Sequence, residues 1–207
     1  MKLMWSATLG LAGCLLAGAP GAWAGEAASA PEAVSATPQI REAFRPVATG
    51  AVVHIQSGMT CHGGGDSLRL ARVQVFGPRA LGEDVGCDYS YPGGAITVVA
   101  MRSPGLPAAA LADAVVARIR TQNPGAQPAS PPAIPPARTL VSPQTASFLV
   151  DAGGRPTITS VWLAVERDWV VEVRASYGAE RRDEPELVAA ILSLAARESI
   201  IKAAVTH

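Results

Sequence analysis

The period of apolar residues changes several times along this chain, and each change marks an element. AVVHIQ, from Ala51 to Gln56, is a short β-branched run. SLRLARVQVFG, 67–77, alternates as a strand does, yet Leu68 and Leu70 stand on one parity and Val73 and Val75 on the other. A β-bulge near Arg72 reconciles the halves, because one extra residue returns both apolar pairs to one face. DVGCDYSY then sets Val85, Cys87, Tyr89 and Tyr91 on a single face. Pro92-Gly93-Gly94 is a turn signal, after which AITVVAMR returns as a strand.

Helical spacing interrupts the strands. Thr37-Pro38 opens a short helix, PQIREAFR, that Pro46 ends, with Ile40, Ala43 and Phe44 on its apolar face. Residues 107–122 carry Leu111, Val115 and Ile119 at i, i+4 and i+8, and Asn123-Pro124-Gly125 stops that helix. TASFLVDA, TITSVWLAVE and WVVEVRASY are three strands, the first two joined through Gly153-Gly154. A three-residue loop, Glu166-Arg167-Asp168, pairs Val165 with Trp169, Leu163 with Val171 and Val161 with Val173, all facing the core. Ser160, Trp162, Glu172 and Arg174 then share the other face. A two-residue loop would set Leu163 against Glu172, so the pattern favours the longer one, with Asp168 in the left-handed region. Asp183, Glu184 and Pro185 start a final helix, the acidic first turn suiting its dipole. Leu187, Ile191 and Leu194 form its expected core stripe, widened by Val188, Leu192 and Ala195.

This order predicts an α+β fold: a mostly antiparallel twisted sheet of about six or seven strands, a mid-chain helix and a C-terminal helix. The segment TITSVWLAVERDWVVEVRASYGAERRDEPELVAAILSL resembles the end of the PsbP-like fold in element order and hydrophobic pattern. That resemblance implies a non-enzymatic binding or assembly module and carries over no functional residue. The half of the chain that holds Cys61 and Cys87 departs from it.

The first residues add a destination. MKLMWSATLGLAGCLLAGAPGAWA has a positive charge at Lys2, an apolar run to Ala19, a break at Pro20-Gly21 and the small-x-small site Ala22-Trp23-Ala24. This is the order of a secretory leader, residues 1–24, cleaved after Ala24. A rival pattern, Leu11-Ala12-Gly13-Cys14, matches a lipoprotein box in which Cys14 would carry the lipid. Residues 25–37 hold little to bury and read as a disordered lead-in, and 38–207 as one α+β domain with a Pro-rich loop at 123–137. That loop reads as a polyproline-II strap rather than a ligand for a proline-binding module. Losing Lys2 with the leader leaves 16 basic against 17 acidic residues. This balance excludes nucleic acid as a main partner, and a membrane too unless Cys14 is lipidated. Cys61 and Cys87 remain, an even pair that implies a disulfide in an exported chain.

Chemistry is sparse. Thr60-Cys61-His62-Gly63-Gly64-Gly65 contains the His-Gly-Gly-Gly of esterase oxyanion loops, but the sequence has no Gly-x-Ser-x-Gly, and a strand follows rather than a helix. His54, His62, Asp66, Asp84 and Asp88 lack a metal-ligand spacing, and His54 reads as an outward strand residue. Glycines 63–65 lack the Gly-Lys-Ser/Thr of a phosphate loop. The reading is therefore an exported, disulfide-stapled, non-catalytic envelope protein with no cofactor and no metal. It binds an envelope protein or small ligand on a surface that includes Trp162 and Arg174. The alternatives are a cryptic hydrolase and a chain lipid-anchored at Cys14.

Overall fold

The structure is a computed structural model that describes residues 37–47, 50–65, 67–77, 82–132, 134 and 140–205. Residues 1–24, read from the sequence as a leader and holding Cys14, residues 25–36 and Asp66 lie outside these residues. Helix α1 (Pro38–Ala43) is capped by the Thr37 hydroxyl, which accepts from Ile40 N–H at 3.3 Å. The helix is shorter than expected: Phe44 leaves it to start β1 (Phe44–Pro46), which pairs with β2 (Val52–His54), itself paired with β3 (Thr60–Cys61). These three strands make a small sheet.

The main sheet is antiparallel and has eight strands in the order β4-β5-β6-β7-β11-β10-β9-β8. Its long members are β5 (Leu68–Val75), β6 (Asp84–Tyr91), β7 (Gly94–Arg102), β9 (Gln144–Asp151), β10 (Pro156–Glu166) and β11 (Trp169–Gly178). Short β4 (Gly64–Gly65) and β8 (Gln127–Ala129) close its two edges. Pro128 sits in β8, where an edge strand tolerates a missing N–H. The β5–β6 register shifts between Leu70 and Arg72, the bulge that the parity slip predicts. At Gly64, with φ +77°, an added Cβ would meet the Leu68 carbonyl at 1.8 Å, so the chain can double back into β5 only with glycine there.

Helices pack on both faces of this sheet. Helix α2 (Ala108–Gln122) lies over β9 and β10 on one face. Helix α3 (Asp183–Ala203) lies on the other, beside the small sheet. The larger core joins α3, the small sheet and one face of the main sheet through Phe44, Met59, Ile96, Trp162, Val173, Tyr177 and Ile200. A second core packs Val115 and Ile119 of α2 on Phe148, Val161, Leu163 and Val170. Cys61 and Cys87 are disulfide-bonded, both fully buried, with Cα atoms 6.0 Å apart. The bond ties β3 of the small sheet to β6 of the main one.

Two expectations fail here for related reasons. Glu166 pairs with Trp169, so the β10–β11 turn has two residues, Arg167 and Asp168, and Arg167 rather than Asp168 takes the positive φ, 56°. Leu163 therefore faces Glu172, and Trp162 pairs with Val173. The longer loop is the better one only if one face of the hairpin meets water. Helices cover both faces, which removes that premise. The expected stripe of α3 also points outward: Leu187 and Ile191 are 56% and 53% exposed. Of the expected positions only Leu192 is buried, with Val188 packed against the core; the rest of the buried face is Ala189, Ala190, Ser193, Ala196 and Ile200. Small residues let it lie close to the sheet, and hydrogen-bonded Glu186 and Arg197 fix its rotation.

Candidate functional site

Trp162 and Arg174 lie on opposite faces of the sheet, because Trp162 pairs with Val173 and Arg174 with Val161. Each belongs to a different surface.

On the α3 face Trp162 is 1% exposed, and among the described residues its indole N–H has no hydrogen-bond partner. It lines a groove of about 210 Å³ with Ile134, Leu140, Val141 and Pro143 on one side and Ala190, Leu194 and Arg197 on the other. Arg197, 3% exposed, gives no free charge to this groove. Its guanidinium donates to Glu166 Oε1 at 2.6 Å and to the Val141 carbonyl at 2.5 Å. These bonds fasten the segment around Val141 to α3. Val141 is itself 83% exposed at the groove's rim. Nearby, Glu186 accepts from Tyr177 at 2.5 Å, Ser160 at 3.2 Å and Arg182 at 2.9 Å. Burial, reinforced by Glu186, pushes the Tyr177 phenol well above its usual range. This network is satisfied and holds the start of α3 in place.

On the α2 face Arg174 donates to Glu172 at 2.6 Å, and Arg118 of α2 grips both carboxylate oxygens at 3.0 and 3.1 Å. Glu172 is 3% exposed. Burial, with the Glu172 charge nearby, pushes Asp84 up to about 6, while Arg118 pulls it back. Among the described residues five buried side-chain atoms lack a partner, and three of them, Asp84 Oδ1, Arg118 Nε and Arg174 Nε, belong to this cluster. The sheet beyond α2 is polar: Arg72 (2.6 Å), Thr97 (2.8 Å) and Gln74 all donate to Asp88. Sequence reasoning missed Glu172 as a buried anchor. The available signal was Arg118, which stands one position before Ile119 on the buried stripe of α2.

The residues singled out for catalysis or metal fall elsewhere. His54 is fully buried, not outward. It turns in because β2 is sandwiched, with its ring 5.4 Å from both Phe44 and Trp169. Its Nδ1 accepts from Ser57 N–H at 3.2 Å and from the Ser57 hydroxyl at 2.7 Å, and that hydroxyl accepts from Met59 N–H at 3.0 Å. Among the described residues Nε2 has no partner at hydrogen-bond geometry. Burial lowers the His54 pKa to about 4, partly offset by the Gly82 backbone. A fully buried serine and histidine so paired, with no carboxylate on Nε2 among the described residues, have the geometry of a locked turn. His62 is exposed. Among the described residues no group of three or more His, Cys, Asp or Glu could hold a metal ion. No described helix is long and apolar enough to cross a membrane.

No family model matches this chain, and no curated protein sequence matches it. Among solved structures it is similar to LpqN, involved in cell envelope biogenesis of Mycobacterium tuberculosis, at 14% identity over 65% of this chain and 77% of that one, with a TM-score of 0.36. It is also similar to DynU16, from the dynemicin biosynthetic locus, at 12% identity over 84% and 92%, with a TM-score of 0.16. Likenesses at these scores carry no functional argument, and neither protein is described as PsbP-like. The architecture itself defines a disulfide-stapled α+β protein with helices on both faces of an antiparallel sheet.

Proposed function

We propose that this chain is an exported envelope protein that binds and does not catalyse, seating an apolar group of a small ligand or partner protein in the Trp162 groove. The groove carries this reading: about 210 Å³, walled by Ile134, Leu140, Val141, Pro143 and Leu194. An aliphatic cavity of about 150 Å³ holds benzene, so a ring or short alkyl group fits here. The leader pattern and the buried disulfide support export, because such bonds persist in oxidising compartments. Substituting Val141→Arg or Ile134→Arg at the rim is expected to abolish binding of benzene-sized probes with the thermal midpoint unchanged. Probe binding that survives both changes removes the groove from the account. Intact mass of the protein from its native envelope tests export. A bridged chain beginning at Gly25 supports it, a lipidated chain beginning at Cys14 selects the anchored alternative, and an unprocessed chain opposes export.

A hydrolase is the second reading, and Asp84 is the observation that favours it. A carboxyl held near 6 suits a general acid. Its neighbour Glu172 is saturated by two arginines, which leaves no second carboxylate free for a water. Turnover of an ester, phosphoester or glycoside that is lost in Asp84→Asn would establish this reading over binding.

A further inference from the structure

Trp162 lies between Val173 of β11 and Thr145 of β9 on the α3 face of the sheet. Its side chain is almost wholly buried, and among the described residues its indole N–H is a donor without an acceptor. Indole can only donate, so nothing but an acceptor atom satisfies it. Buried polar groups are nearly always paired, because an open one forfeits its bond to water. A ligand that brings an acceptor to this donor therefore gains more than one that brings apolar surface alone.

The rest of the groove decides what else the ligand must be. Leu140, Val141 and Leu194 give it apolar walls, and Ala190 and Ser193 of α3 leave it open because their side chains are short. Among the described lining residues Arg197 is the only charged one, and Glu166 already neutralises it at 2.6 Å. A carboxylate or phosphate inside would find no free counter-charge, and burying an unpaired charge is costly. We propose that the groove takes an uncharged molecule that joins a ring or short alkyl group to a carbonyl oxygen, and that this oxygen accepts from the Trp162 indole N–H. This deepens the binding reading and rests on it: the apolar part fills the groove, and the oxygen sets the ligand's orientation and selects it over a plain hydrocarbon. A longer anion such as octanoate can leave its carboxylate at the rim by exposed Val141 and send only its chain inward.

Three probes of one shape separate these contributions. Acetophenone carries the carbonyl, α-methylstyrene has a methylene group in place of the oxygen, and benzoate has a charged oxygen in place of the methyl group. Each is titrated into the disulfide-bonded chain beginning at Gly25, followed by nuclear magnetic resonance. Acetophenone is expected to move the Trp162 indole proton downfield and to slow its exchange with water, as a new hydrogen bond does. α-Methylstyrene is expected to fill the groove, seen at the methyl groups of Leu140, Val141 and Leu194, with neither effect on that proton. Benzoate is expected to bind about tenfold more weakly than acetophenone. Trp162→Phe keeps an aromatic ring and removes the donor, and is expected to lower the affinity ratio of acetophenone to α-methylstyrene about tenfold. The wild-type spectra decide the matter if that variant does not fold. The same indole response to acetophenone and α-methylstyrene, an unchanged ratio in folded Trp162→Phe, or benzoate binding as tightly as acetophenone overturns this proposal and leaves the groove reading standing. Binding of none of the three overturns both.

Discussion

Leu163 stands directly opposite Glu172 across the β10–β11 hairpin, an apolar side chain beside a carboxylate that is 3% exposed. Glu172 is tolerable there because Arg118 reaches down from α2 and Arg174 lies two residues along its own strand. Removing one member of a buried pair costs more than the pair is worth, because the remaining charges stay buried. Glu172→Ala is therefore expected to lower stability by about 2–3 kcal/mol, below the full buried-pair cost because the arginines reach solvent. Urea titration checks this. Replacing Glu172, Arg118 and Arg174 together with apolar residues should recover most of the loss.

Two titrating groups, fully buried His54 and half-buried Asp84, should give opposing pH slopes. Asp84 has a folded pKa of about 6, above its ordinary 3.8. The folded state therefore holds its proton more tightly, and stability from this group falls as pH rises between about 4 and 6. His54 has a folded pKa of about 4, below its ordinary 6.5. The unfolded chain takes that proton first, so stability from His54 falls as pH drops between about 6.5 and 4. Chemical denaturation across this window should show Asp84→Asn removing the first slope and His54→Gln removing the second. A variant whose profile is parallel to wild type contradicts the corresponding assignment.

The bulge near Arg72 was legible because an inserted residue is what brings apolar positions of opposite parity onto one face of a strand. The strand–helix order, the face shared by Val85, Cys87, Tyr89 and Tyr91, and the pairing of Cys61 with Cys87 were legible from equally local signals. The hairpin register, the burial of His54 and the rotation of α3 were not. Each depends on which second layer covers a face, a tertiary fact that local periodicity does not contain. A sheet covered on both sides rewards apolar residues at both parities, so alternation no longer separates inside from outside. On α3 Leu192 was read correctly as buried, but the alanines and Ser193 beside it against the sheet are weak signals, while Leu187 and Ile191 are strong ones that point outward. The groove was half visible. Trp162 stood out in the sequence, but its neighbours come from α3 and the segment around Val141, distant in the chain.

The disulfide should carry much of the small sheet's attachment. Closing a loop of 26 residues is worth about 3–4 kcal/mol through the unfolded chain. Cys61→Ser with Cys87→Ser is expected to lose about that much, read from the shift in the urea midpoint. Thiol titration of the unfolded, unreduced exported chain should find no free thiol, and two free thiols would contradict the bridge.

The binding reading is tested most directly at Trp162 itself. A chain beginning at Gly25 holds two tryptophans, Trp162 and Trp169. Their indole N–H groups would give two separate signals in a nitrogen-15 correlation spectrum, and only Trp162 lines the groove. Titration with toluene and with octanoate is predicted to move the Trp162 signal saturably and to leave that of Trp169 in place. A Trp162 signal that neither compound moves, or equal shifts at both indoles, would contradict a binding groove at this site.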